Sequence, residues 1–367
     1  RLIREGSGGE PAPVVQAGLA ACENAISINP ASATAHARMA NLRLVHGQIR
    51  EEKGENPLAI YRQVLDAAAY AMQLNPDRPL PYMVSGTASQ RIALYQLNYT
   101  QENPREALAR AGEFYQQVIE RDKDRRDVYN ELGNVYSIRG EYTAGQGDGD
   151  PMPDLLKAVD YYKAGLNMRP NEPVMLSNLG FNYTIIADWL IAQKRDPDEW
   201  FDKAFAVYDQ ILQRNPDMML AQINVASTAF HRGNYVMSIG GDPTPWWRQA
   251  VNAFNKVLEG DPKDQMALAG LAGVRSAQAG QLQSSDKVVA RAQQAIEASD
   301  KANAIRPTAD VYAYKARALL ILAQHETSNT AASALRRQAQ QASRKALDLS
   351  PGHKEAKAQL VKNGNAQ

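Results

Sequence analysis

Two sets of prolines run through this sequence in step. Pro30, Pro76, Pro170, Pro216, Pro262, Pro307 and Pro351 each close a segment rich in Ala, Leu and Tyr, with Lys123 where a further member would fall. The steps are 46, 47, 47, 46, 46, 45 and 44 residues. Proline donates no amide hydrogen and restrains the residue before it, so each of these marks reads as a helix end. The second set is Asn56-Pro57, Asn103-Pro104, Asp150-Pro151, Asp196-Pro197 and Asp242-Pro243, at steps of 47, 47, 46 and 46. An Asx side chain can accept from free amides, and proline at the first helical position loses no hydrogen bond, so each pair reads as a helix start. One start and one stop per period, with a second helix such as Ala35–Lys53 or Val174–Lys194 between stop and next start, make the chain a tandem array of helical hairpins.

The helices are apolar on more than one face, as Val174, Met175, Leu179, Phe181, Tyr183, Ile186, Trp189 and Leu190 show. A helix of that kind needs neighbours on two sides, which stacked hairpins supply. No window alternates with period two, so no strands are predicted and the fold class is all-α.

Charge excludes some functions. Lys+Arg 41 against Asp+Glu 40 leaves a net charge of +1, where a nucleic-acid binder normally carries a basic excess. No run of 18 apolar residues is present, so no membrane insertion is expected. Cys22 is the only cysteine; an internal disulfide is impossible, and structural zinc and other cofactors are not expected. The chain opens on Arg1 without a secretory pattern, which predicts a piece of a longer, cytoplasmic polypeptide.

Leu132-Gly133-Asn134-Val135-Tyr136 and Leu179-Gly180-Phe181-Asn182-Tyr183 match the L-G-x-x-Y of the first helix of a tetratricopeptide repeat. Ala158, Tyr162, Gly165 and Pro170 keep the A-x3-F-x2-A-x4-P spacing of its second helix; Ala204, Tyr208, Ile211, Pro216 and Ala250, Phe254, Val257, Pro262 do the same, and Gly18, Cys22, Ala25, Pro30 is a weaker copy. The chain therefore resembles a tetratricopeptide array; HEAT repeats share the period but lack these marks. The family unit has 34 residues, and the excess here lies between the two arms: Gly180 to Ala204 is 24 residues. That adds roughly twelve residues, a little over three helical turns shared by the two helices.

The resemblance implies a right-handed superhelix. Its predicted anatomy is one solenoid over residues 1–367: a truncated first repeat at 1–30, full repeats at 31–76, 77–123, 124–170, 171–216, 217–262, 263–307 and 308–351, and a capping helix in 352–367. Arg1–Glu5 reads as the tail of a first helix with Pro13–Asn29 as its partner, and the cap, Lys354–Lys362, offers Ala358, Leu360 and Val361 as its apolar residues. Long repeats with Asx-Pro between the arms also resemble the carboxy-terminal arrays of bacterial serine/threonine protein kinases. No kinase motif is present, so a catalytic domain would lie outside this segment, which is itself expected not to be an enzyme.

In the family, the first helices line a concave wall. The positions facing it, counted from the Leu-Gly, give Asn41, Asn130, Asn134, Ser137, Ser177, Asn182, Ser227 and Phe230 as candidate partner-binding residues, with Asp127, Val174, Ile185, Leu220 and Ile223 beside them. Amides carry both donors and acceptors and can clamp the backbone of an extended peptide. The expected partner is a protein or peptide, and the competing reading is a self-assembling scaffold.

Other features read as structural. Gly145–Pro151 lacks the strand and Lys-Ser/Thr of a phosphate loop and the distal Glu of a calcium loop, so it is a loop between arms. The five histidines show no metal spacing, and Trp189, Trp200, Trp246 and Trp247 are expected to fill the surface between the lengthened helices.

Overall fold

The computed structural model describes residues 11–364, so Arg1–Glu5 lies outside the described residues. Among these residues there are sixteen α-helices and no strand. The chain forms two compact units, one ending at Ile186 and the other beginning at Ala187, within a single helix.

In the first unit the helices are α1 (Pro11–Ile28), α2 (Ala33–Glu52), α3 (Leu58–Leu74), α4 (Pro79–Tyr95), α5 (Arg105–Arg121), α6 (Arg126–Gln146) and α7 (Met152–Met168). Helix α8 (Pro173–Ala192) carries the division. A π-helical turn, Gln96–Thr100, extends α4. The second unit holds α9 (Asp198–Leu212), α10 (Met219–Ser238), α11 (Thr244–Gly260), α12 (Gln265–Ala279), α13 (Ser285–Ile305), α14 (Ala309–His325), α15 (Asn329–Leu349) and α16 (Lys354–Gly364). On either side of α8, helices consecutive in the chain pack together within each unit. First helices of successive hairpins also touch: α2 with α4, α10 with α12, and α12 with α14. This is the layering of an all-α solenoid.

Both proline registers mark helix boundaries, and the atoms show why. In the start register, Oδ1 of Asn56, Asn103, Asp150, Asp196 and Asp242 accepts from the amide two residues on, at 3.0, 3.0, 3.0, 2.9 and 2.9 Å. The prolines stand immediately before the first helical residue rather than on it. Their carbonyls accept the first helical hydrogen bonds, as in Tyr61 N to Pro57 O at 3.0 Å and Leu108 N to Pro104 O at 2.9 Å. Just upstream, the first helix of each pair ends on a residue in the left-handed region: Gly54, Gln101, Gly147, Lys194 and Gly240, at φ of 75, 55, 68, 56 and 80°. The loop joining α6 and α7 is thus Gly147–Pro151, shorter than the Gly145–Pro151 expected, because Gly145 and Gln146 continue α6 to its left-handed end at Gly147.

The core repeats with the same period. Tyr115, Tyr162, Tyr208 and Phe254 are all 2% exposed or less. Closer to the arm-to-arm loop, Tyr61, Leu108, Leu155, Phe201 and Trp247 are 3% exposed or less. The lengthened arms thereby gain an additional buried layer. Close backbone approach permits it: a Cβ on Gly47, Gly140 or Gly233 would lie 2.4, 2.6 or 2.6 Å from Tyr61, Leu155 or Trp247 respectively. The other tryptophan of the pair also packs. Trp246 stacks on Phe205 at 5.8 Å and lies under the Arg232 guanidinium at 4.2 Å.

The cap differs from its predicted face. Ala356 and Gln359 of α16 are buried, while Ala358 is exposed and Val361 is 64% exposed. Polar bonds set this rotation: Gln359 Nε2 donates to Ala313 O at 3.0 Å, Ser343 Oγ donates to Gln359 Oε1 at 3.1 Å, and the His353 ring meets Asp310 at 2.9 Å.

Candidate functional site

Asn130 and Asn134 stand one turn apart on α6, both half-buried. Asn178 on α8 donates Nδ2 hydrogens to Oδ1 of Asn130 and of Asn134, each at 3.0 Å. The Tyr162 hydroxyl adds a second donor to Asn134 Oδ1 at 2.8 Å. Glu131 accepts from the amide nitrogens of Asn130 and Asn134 at 3.3 and 3.4 Å. The result is an amide ladder between two successive first helices of the first unit. Each Asn Nδ2 on α6 keeps one hydrogen for a ligand, while the carbonyl oxygen of Asn134 is already occupied. Asn178 was missed because it lies between the face positions counted from the Leu-Gly.

The ladder borders a cavity of about 260 Å³ whose wall includes Arg126, Asn130, Glu131, Arg169, Glu172 and Val174. Asn41 is exposed on α2 and lines a separate cavity of about 500 Å³ with Cys22 and Arg38.

Four of the predicted residues are not on an open face. Ser137 is 5% exposed, Ser177 0%, Asn182 0% and Phe230 8%. For Asn182 the cause is register. Counted from Leu179-Gly180, the face positions are Phe181 and Thr184, one residue before Asn182 and Ile185. A one-residue slip turns a side chain by about 100° around a helix. Phe181 is accordingly 44% exposed, and Asn182 points inward, where its Nδ2 donates to Leu155 O at 2.9 Å. Ile185 and Thr184 are buried as well, at 8% and 4%. Ser177 and Ser137 fill tight packing sites, Ser137 beside the Tyr162 hydroxyl.

In the second unit, Ser227 and Phe230 do come together, on a cavity of about 300 Å³ that His231, Met266, Asp310 and Tyr314 also line. His231 Nδ1 lies 2.7 Å from Asp188 Oδ2. Burial works against charging this imidazole, but the carboxylates of Asp188 and Asp310 outweigh it and hold its pKa above the ordinary histidine value. Among the described residues no group of three His, Cys, Asp or Glu side chains is placed to hold a metal ion, and no helix is long and apolar enough to cross a membrane.

No family model matches the chain. The human protein O-mannosyl-transferase TMTC1 is 27% identical over 210 residues, which span 55% of this chain and 22% of that protein. The chain thus covers about a fifth of the length of the curated relative it matches. A tetratricopeptide repeat protein from Parabacteroides merdae superposes with a TM-score of 0.55 at 16% identity, over 89% of this chain and 99% of that one. The APC/C hetero-tetramer Cut9-Hcn1 gives a TM-score of 0.55 at 11% identity, over 94% of this chain and 52% of the other. These likenesses show the fold: an all-α solenoid of the tetratricopeptide type.

Proposed function

We propose that this chain is a protein-interaction scaffold that grips extended peptide segments along the exposed sides of its first helices. The observation that supports this reading most is apolar surface left open beside polar cavities. In the first unit Val174 and Phe181 are 45% and 44% exposed near the amide ladder. In the second unit Met219, Leu220 and Met266 are 45%, 38% and 52% exposed, and Met266 borders the cavity of Ser227 and Phe230. Apolar side chains beside polar cavities on a repeated face suit a partner that spreads its contacts over several repeats. The segment itself carries no catalytic role in this reading. It serves as the cytoplasmic recruiting or regulatory arm of a larger signalling protein such as a bacterial serine/threonine kinase, which the long Asx-Pro repeats resemble.

The test is selection of peptides from a displayed library on the immobilised chain. Val174→Ser with Phe181→Ser, or Leu220→Ser with Met266→Ser, should each weaken the selected peptides about fivefold or more, roughly 1 kcal/mol of lost apolar contact, with thermal stability unchanged. Asn182→Ala should do the reverse: about 1 kcal/mol of stability is lost with its buried hydrogen bond, and affinity stays the same. Peptides that bind both double-serine variants as tightly as the parent would end the proposal.

A second reading, self-assembly through the first hairpin, has one feature in its favour. Val14 and Ile28 of α1 are 54% and 79% exposed. A strict monomer by light scattering across a concentration series excludes it.

A further inference from the structure

The cavity beside the amide ladder has an uneven charge economy. Three carboxylates line it, and each accepts hydrogen bonds from within the chain, but only Asp127 is paired with a cation. Asp127 takes two hydrogen bonds from Arg125, at 3.0 and 2.8 Å, which hold its carboxyl below the usual carboxylate range. Glu172 accepts from Met175 N at 2.6 Å and so caps the first turn of α8. Glu131 takes the two amides already described. The cavity's two cations, Arg126 at the start of α6 and Arg169 just past the end of α7, are exposed and have no side-chain partner.

Arg169 also departs from the local rule of the array. At five of the seven other helix stops, Asn29, Asn75, Asp122, Asn215 and Asp261 each accept from the amide two residues on, at 3.1, 3.2, 3.3, 3.3 and 2.9 Å. An arginine cannot make that turn. Arg306 stands at a corresponding stop, but it is tied to Gln265 by bonds at 3.3 and 3.5 Å. Arg169 gives up the turn's hydrogen bond and gains nothing inside the chain. A residue that breaks a local rule without internal compensation marks a place where the compensation comes from a ligand.

We infer that this cavity receives an acidic side chain of an extended peptide, its carboxylate held by Arg126 and Arg169, with the flanking apolar residue on Val174. The planar fork of each guanidinium matches a carboxylate, and the free Nδ2 hydrogens of Asn130 and Asn134 are left for the peptide's carbonyls. The inference rests on the scaffold reading and names the chemistry of one of its subsites.

The probes are a capped hexapeptide with two central glutamates flanked by leucines, the same peptide with glutamines, and the glutamine peptide with a free carboxy-terminus. Titration at low salt, followed on the arginine side-chain Nε–H resonances, reads binding down to about 10 mM. The glutamate peptide should bind about fivefold more tightly than the capped glutamine peptide, shifting both Arg126 and Arg169. Arg126→Gln or Arg169→Asn should each remove most of that preference. Arg169→Asn installs the Asn or Asp found at five of the other stops, so its melting temperature should be unchanged or higher. The inference is overturned if Arg169→Asn melts earlier and leaves the preference intact, since the guanidinium would then be structural. It is overturned equally if no arginine resonance moves, or if the free carboxy-terminus binds as well as the glutamates. Glutamate and glutamine peptides that bind alike, and are both lost with Val174→Ser and Phe181→Ser, would sink this inference and leave the scaffold reading standing. Failure of the library selection sinks that reading itself.

Discussion

Tyr162→Ala should cost the first unit about 4 kcal/mol, near the upper end of what a buried aromatic residue contributes. The ring is 1% exposed. It lies so close to α6 that a Cβ on Gly133 would sit 2.3 Å from its Cε1, so the glycine and the ring form a single fitted contact. Its hydroxyl donates to Asn134 Oδ1 at 2.8 Å, and burial keeps the phenol protonated well above its ordinary pKa. Two variants separate these contributions. Tyr162→Phe keeps the ring and loses one hydrogen bond, about 1 kcal/mol; it also frees an acceptor on Asn134 and should alter peptide affinity. Tyr162→Ala removes both. Urea denaturation followed by circular dichroism measures the two costs. In a stacked array the alanine variant should also lower the slope of the transition, as hairpins on either side of the lesion uncouple. A loss under 1 kcal/mol for Tyr162→Ala would mean the ring does not fasten its hairpin.

Much of the fold was legible because its boundaries are set by chemistry local to a few residues. Asn56-Pro57 and its four successors announce helix starts since the capping oxygen and the capped amide are two residues apart. Gly54, Gly147 and Gly240 recur at every second period and could have flagged the left-handed helix ends. Gln101 and Lys194 take the same conformation with no such signal in their side chains. The site was less legible, for two physical reasons. A helical face is read by counting, and the step from Phe181 to Asn182 exchanges an exposed position for a buried one. The chemistry of the cavity depends on which side chains are already engaged. That Arg125 takes Asp127, and that Glu172 is spent on the amide of Met175, are facts of side-chain geometry that spacing does not encode. The cap shows the same limit: Gln359 is buried and Val361 exposed because Ala313 O and Ser343 supply bonds from other helices.

Glycine-to-alanine exchange in this fold should change sign with position, and Gly270 marks the costly extreme. A Cβ there would lie 2.0 Å from Cζ of Phe254 and 2.4 Å from Cε2, inside any real contact distance. Phe254 is 2% exposed, and its ring and Gly270 line the same cavity of about 300 Å³. Gly270→Ala must therefore push the ring, and the open direction is the cavity. The expected result is a loss of about 2 kcal/mol from overpacking, which exceeds the roughly 1 kcal/mol that alanine gains over glycine in a helix. Any peptide bound in that cavity should be lost with it. Gly112→Ala is the control: its nearest neighbour would be Val135 Cγ1 at 3.7 Å, an ordinary contact, so the helical gain stands and stability should rise by about 0.5–1 kcal/mol. Adding Phe254→Leu to Gly270→Ala should recover part of the loss, because the smaller side chain vacates the space the new methyl needs. A coupling near zero between the two substitutions, measured as a double-mutant cycle by urea denaturation, would show that the ring was never the obstacle.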